Sequence, residues 1–275
     1  MENTENKLSE KINFNLCSIY EKIKGKKVFI FDLETTGLFD KTYFYKYWDN
    51  SVFDSARIVE IGYYYSNNFD QNNIIKLETT KTKTPPIKDI LGCIEQNDST
   101  NSAESAESAE SAESEQDNLE QNDFITNNVI HTYLRKPTDF DSIGEIAESK
   151  HGISIEKIIK EGYKFSQILN YDLLKKLNEA EYIISHNTMF DFYILLNELN
   201  RFKLRNTIKN LTELKKNKCL LCTCKASGYL TLEKLYFSIF NDKPDVFHRA
   251  GDDVKTLVEI ITRKKIDTVY KTALF

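Results

Sequence analysis

Apolar positions along the chain follow two periods. Leu8, Ile12, Leu16, Ile19, Tyr20 and Ile23 recur at three- and four-residue spacing, which predicts an amphipathic helix over 7–24. From Val28 the pattern becomes continuous: "VFIFDL" reads as a buried strand over 28–34, bounded by Gly25 and Gly37. "RIVEIGYYY" (57–65) predicts a second strand, and "NIIKLET" (73–79) is expected to extend a hairpin from it. "VIHTYLRKP" (129–137) resumes extended structure after a polar stretch. The second half alternates: a helix over 166–180, a short strand "EYIIS", a strong helix over 189–202, a last strand "CLLCT", then helices over 231–240 and 250–263. Strands first, then alternating helix and strand, predict an α/β sheet layered with helices.

Polar residues interrupt this pattern at a few places that carry chemistry. Asp32 and Glu34 sit two apart in the first strand, so both side chains point to one face. Two like charges that close repel, and burying either alone is costly, so solvent or a cation belongs between them. Asp191 falls just inside the helix that follows "YIIS", and His248 lies five residues before Asp253. Four carboxylates and a histidine thus stand at element ends, where one sheet could present them to one cleft.

Composition narrows the setting. No apolar run approaches the 18 residues of a membrane span, and "MENTENKLSEKINFNL" lacks the apolar segment of a signal peptide. Five cysteines, an odd number, do not suggest a disulfide framework, so the expected location is intracellular, cytoplasm or nucleus. "CLLCTC" (219–224) clusters three thiols one ligand short of a tetrahedral zinc site, and also reads as a buried strand. Charge is unevenly spread. Residues 92–125 hold seven Glu and three Asp with no Lys or Arg, a local −10 against −5 for the whole chain, leaving +5 elsewhere. That segment contains the repeat "SAESAESAESAE" and almost no apolar residue, so a disordered insertion is expected. Within 201–225, eight basic residues face only Glu213, either a nucleic-acid footprint or a solvated helix face.

Three ordered motifs, "FDLETTGL", "SHNTMFD" and "HRAGDD", together with "RIVEIG", "HGIS" and "CTCKAS", resemble those of the DEDDh 3′–5′ exonucleases. This is the proofreading-subunit type of the ribonuclease H-like superfamily. The resemblance spans nearly the whole chain outside the insertion and the first helix. It implies a mixed five-stranded sheet flanked by helices, with an N-terminal helix (1–25), an exonuclease domain (26–265) containing the insertion, and a C-terminal tail (266–275).

Carried over by position, the resemblance implies that Asp32, Glu34, Asp191 and Asp253 hold two Mg²⁺ or Mn²⁺ ions, with Asp32 bridging both. Clustered carboxylates do suit such hard cations. His248 is implied as the general base, and Thr35, Thr36, Gly37, Leu38, Asn187 and Phe190 as contacts to the terminal nucleotide. Asp252 is expected to face solvent, since the family spacing selects Asp253, and His151 in "HGIS" is expected to be structural. The implied partner is a single-stranded or frayed 3′ end of nucleic acid, DNA before RNA. A catalytically silent binding module on the same fold is the other class of reading, against which all five catalytic positions are filled. The 275 residues contain no polymerase or helicase segment, so a proofreading role would call for a polymerase partner. The loop over 39–56 is longer than the common family form, and its Tyr43, Phe44, Tyr45, Tyr47 and Trp48 suit either base stacking or packing over the sheet.

Deleting residues 92–125 should leave hydrolysis intact and tighten substrate binding at low salt. A flexible chain of that length spans about 30–35 Å and can compete with phosphate for the basic 201–225 region. Binding isotherms at about 0.01 M and 0.15 M salt, where the Debye length falls from about 30 Å to about 8 Å, should show the gain fading.

Overall fold

The strand β1 (Val28–Thr35) lies at the centre because both its faces are apolar. Phe29, Phe31 and Leu33 enter one buried cluster, and Val28 and Ile30 enter another on the opposite face. In this computed structural model the described residues are 2–40, 42, 45–72, 74, 76–80, 129–169, 171–244 and 248–271; the acidic 92–125 segment lies outside them. β1 pairs antiparallel with β2 (Ile58–Ser66) and parallel with β5 (Tyr182–Ser185). β2 pairs antiparallel with β4 (Val129–Leu134), and β5 parallel with β6 (Leu220–Cys222). The order β6-β5-β1-β2-β4 is the expected mixed five-stranded arrangement. It is extended by β3 (Lys76–Thr80) and β7 (Asp267–Lys271) to β6-β5-β1-β2-β4-β3-β7.

Both extra strands correct the sequence reading. "NIIKLET" forms no hairpin with β2, because β1 and β4 occupy both edges of that strand; β3 instead runs parallel to β4 and to β7. The expected tail supplies β7, whose "DTVYK" has the β-branched and aromatic residues that favour strands.

Helices cover both faces. On one side, α1 (Glu2–Ile23) buries Ile12, Leu16, Ile19 and Ile23 in a cluster with α10 (Leu232–Phe240) and α11 (Ala250–Thr262). On the other, α5 (Phe165–Ile168), α6 (Tyr171–Glu179), α7 (Thr188–Arg201) and α8 (Arg205–Lys216) pack over Phe29, Phe31 and Leu33. The single helix expected over 166–180 is therefore two: Leu169 turns out of helical geometry at ψ 40° with its side chain buried in the core. α3 (Glu145–His151) and α4 (Ile155–Glu161) are too short to announce themselves by periodicity. Their boundary is local chemistry: Gly152 ends α3 at φ 64°, and the Ser154 hydroxyl caps α4 by accepting from Lys157 N–H. α2 (Asn50–Phe53) lies within the long loop, and α9 (Thr223–Ala226) cuts short the strand expected through Thr223. Cys222 Sγ accepts from Lys225 N–H at the start of α9. Among the described residues no helix is long and apolar enough to cross a membrane.

Beneath the first motif lies a buried ionic network. Glu198 on α7 accepts from Arg57 Nε at 2.8 Å and Arg135 Nη1 at 2.6 Å, all three residues being at most 1% exposed. Asp139 pairs with both guanidiniums from the surface side, and Phe140 and Phe165 lie against the Arg135 guanidinium. Buried charge is tolerated only when it is paired. Glu198→Ala strands two guanidiniums with Asp139 alone and should cost about 3–5 kcal/mol, read by denaturant unfolding at neutral pH.

Candidate metal centre

The strand pleat sets the first two carboxylates. Asp32 and Glu34 continue the Val28–Ile30 face of β1, opposite Gly62 and Glu60 of β2, and the β1–β2 register shifts just after Glu34. That face is the one α11 covers, and the approach is close. A β-carbon on Gly62 would overlap the backbone of Ala250 and Gly251, and one on Gly251 would overlap the Thr132 hydroxyl. These two glycines let the first turn of α11 rest on the sheet. Asp253, in that turn, comes down beside Glu34: one ligand atom each from Glu34, His248 and Asp253 lie within 4.8 Å of one another. Asp32 and Asp191 fall outside that trio but feel its charge, Asp32 from Asp253 and Glu34 and Asp191 from Glu34. His248 is exposed and holds φ 59°.

Asp191 arrives from the opposite helical layer. β5 runs parallel to β1, so α7 begins at the same end of the sheet, with Asp191 buried in its first turn. Asn187 enters the helix at φ 61°, and Thr188 Oγ1 lies 2.9 Å from Ser185 O and 2.7 Å from Leu221 O, fixing the helix start to β5 and β6.

The electrostatics are those of acids crowded together. Burial first, then the charges of Asp253, Asp191, Glu34 and Glu60, hold the Asp32 carboxyl well above the usual range. Burial also raises Asp191 well above it, with the charge of Glu34 adding. Glu34 is pushed up to about 8 by burial, Asp253 and Glu60, against the pull of Arg249 and Lys150. Asp253 is pushed up to about 7 by burial, Asp252 and Glu60, against a hydrogen bond from the His248 backbone. Asp253 Oδ1 is buried with no hydrogen-bond partner. Carboxylate oxygens beside one imidazole, with Asp253 Oδ1 buried and orphaned, suit a hard divalent cation.

The other predicted residues divide. Thr35 Oγ1 donates to Gly37 O at 2.7 Å; Thr36 Oγ1 donates to Ser55 O at 3.1 Å and accepts from Arg57 N–H at 2.9 Å. Both threonines are buried and hold the turn, while Leu38 is 69% exposed at its tip. Phe190, half-buried, stacks on Phe39 at 5.3 Å, and Asn187 is exposed. His151 Nδ1 accepts from Ile153 N–H, so its Nε2–H donates to Thr35 O at 3.2 Å, tying α3 to the end of β1. His186 bridges Thr223 Oγ1 and Leu230 O, and burial lowers its pKa to about 4, so it stays neutral. In the long loop, Tyr47 packs on the core while Trp48 is 58% exposed, so packing and display are both present. Glu60, fully buried across from Glu34, and its partner Arg249 join the site without having been expected there. The signal for Glu60 was a lone acid in the apolar run "RIVEIG".

No protein-family model and no curated protein sequence matches the chain. Among solved structures, the Mg²⁺- and Mn²⁺-bound form of S. pombe Pop2p is similar to it at 14% identity and a TM-score of 0.45, over 93% of this chain and 89% of that one. A likeness this distant decides neither activity nor substrate, which rest on the site itself.

Crowding makes a pH prediction for the chelated protein. A carboxyl whose folded pKa is raised binds more protons folded than unfolded, so its contribution is full below the unfolded value and is lost as pH rises through the folded one. With Glu34 at about 8 and Asp253 at about 7, in the field of Asp32, Asp191, Asp252, Glu60, Arg249 and Lys150, the melting temperature in EDTA should fall between pH 5 and pH 9. Thermal melts with and without Mn²⁺ should diverge as pH rises, since a cation replaces the protons.

Proposed function

We propose that the protein is a metal-dependent 3′–5′ exonuclease that releases nucleoside 5′-monophosphates from the 3′ ends of nucleic acid. The observation that carries this reading is the orphaned, buried Asp253 Oδ1 among crowded carboxyls, with His248 beside it. Asp32, Glu34, Asp191 and Asp253 would hold two Mg²⁺ or Mn²⁺ ions. Bound there, such ions supply water activation and charge stabilisation of the leaving 3′-oxygen. Asp32, buried and under the charge of Asp253, Asp191 and Glu34, would offer its carboxylate to the ions from the strand.

The chain's own residues do the rest. His248, exposed and so open to water, takes a proton from the attacking water at a ring nitrogen. The water oxygen bonds to phosphorus, the P–O3′ bond breaks, and the 3′-oxygen leaves to be protonated as the new terminus. The hydrogen-bonded Thr35–Leu38 turn positions the terminal nucleotide, with exposed Leu38 against its base and half-buried Phe190 stacked on the adjacent Phe39. The motif resemblance favours DNA over RNA, and labelled single strands of each with Mg²⁺, Mn²⁺ or chelator form the first assay. Product release with DNA only, RNA only or both sets the polymer, and no release from either rejects the enzyme reading.

Asp32→Ala should abolish hydrolysis in saturating Mg²⁺ while the far-ultraviolet circular dichroism is unchanged. His248→Ala should slow turnover by roughly 10²–10⁴-fold, the scale of general-base loss, and keep Mn²⁺ affinity by calorimetry, whereas Asp253→Ala should lose it. Equal loss of affinity in the two would make His248 a ligand.

A further inference from the structure

We infer that Glu60 is a positioning residue for His248, acting through Arg249 and touching neither substrate nor ion; the inference rests on the exonuclease reading above. Glu60 stands on β2 directly across from Glu34 and is 0% exposed. Its position alone would make it a further ligand candidate, but its oxygens are engaged. One accepts from Arg249 Nη2 at 2.5 Å, and the other accepts from Arg249 Nε at 3.0 Å and Ala250 N–H at 2.9 Å. A carboxylate has about four acceptor positions, and three are filled by two consecutive residues. A fork of this kind fixes orientation as well as distance.

Those two residues immediately follow His248. The histidine holds φ 59°, a left-handed conformation that a non-glycine residue keeps only where its surroundings impose it. On its C-terminal side the surroundings are the Glu60 clamp, the contact of Ala250 with Gly62 and that of Gly251 with Thr132. The His248 backbone also lies at Asp253. Glu60 thus joins β2 to the segment that carries the proposed base.

The test is a double-variant cycle on the full chain, measuring single-nucleotide release from labelled single-stranded DNA and RNA and Mn²⁺ binding by calorimetry. Glu60→Gln keeps the shape and the Ala250 bond but loses the charge, and should lower kcat on the order of 10–10²-fold, the cost of about 1 Å of misplacement. KM and Mn²⁺ affinity should hold. Combined with His248→Ala, it should add no further loss, because the clamp acts only through the histidine. Arg249→Lys is the milder companion should Glu60→Gln fail to fold, and it should show the same lack of additivity. Multiplicative losses in the double variants, unchanged kcat in both single variants, or a fall in Mn²⁺ affinity matching the fall in kcat would each overturn the inference while leaving the exonuclease reading intact. A wild-type chain without hydrolysis would remove both.

Discussion

Carboxylates that repel one another occupy the same end of one sheet, and the surrounding architecture answers to that crowding. Asp32, Glu34 and Glu60 come from adjacent strands, Asp253 from the helix pressed on them, and Asp191 from the helix behind. Strands put two acids on one face for reasons of pleat alone, and the glycines at 62 and 251 allow a third to approach from above. Glu60 alone among these five has its own guanidinium. The remaining four can be neutralised by protons or by cations, and the two compete for the same oxygens.

The molecule contains a second buried ionic group that solves the same problem by the opposite route. Around Glu198 each acid meets two guanidiniums and aromatic rings close the space, so charge is balanced internally. This network also reaches the first motif: Arg57 and Thr36 exchange hydrogen bonds through N–H and C=O or hydroxyl groups, and Gly144 N–H donates to Thr36 O. The balanced group therefore holds the turn that leads out of the unbalanced one. Rigidity sits beside reactivity, each drawn from the same residue types.

How much of this was legible in the sequence depended on how local its cause was. β1, β2, α7 and α11 carry long apolar patterns, and their periods predicted them within a few residues. Asp32, Glu34, Asp191, His248 and Asp253 stood out as polar residues at the ends of such runs. Pairing partners were less legible: nothing in "NIIKLET" says that both edges of β2 are taken. Nor does any local signal say that "DTVYK" travels back to β3. The break at Leu169 is likewise tertiary, a burial that overrides helix propensity on either side. Glu60 escaped notice because its role depends on Arg249, which lies 189 positions away.

The arrangement of layers has a mechanical consequence. Asp191 belongs to a helix packed on one face of the sheet and Asp253 to a helix packed on the other, while Asp32 and Glu34 stay with the sheet between them. The proposed ligand set is therefore stitched across the sandwich. A sideways slip of either helical layer by a fraction of an ångström would leave each core intact and still change the spacing of the oxygens. Ions bound by all three layers would act as a bolt through the fold, and the alignment of two independent cores would become a condition of chemistry.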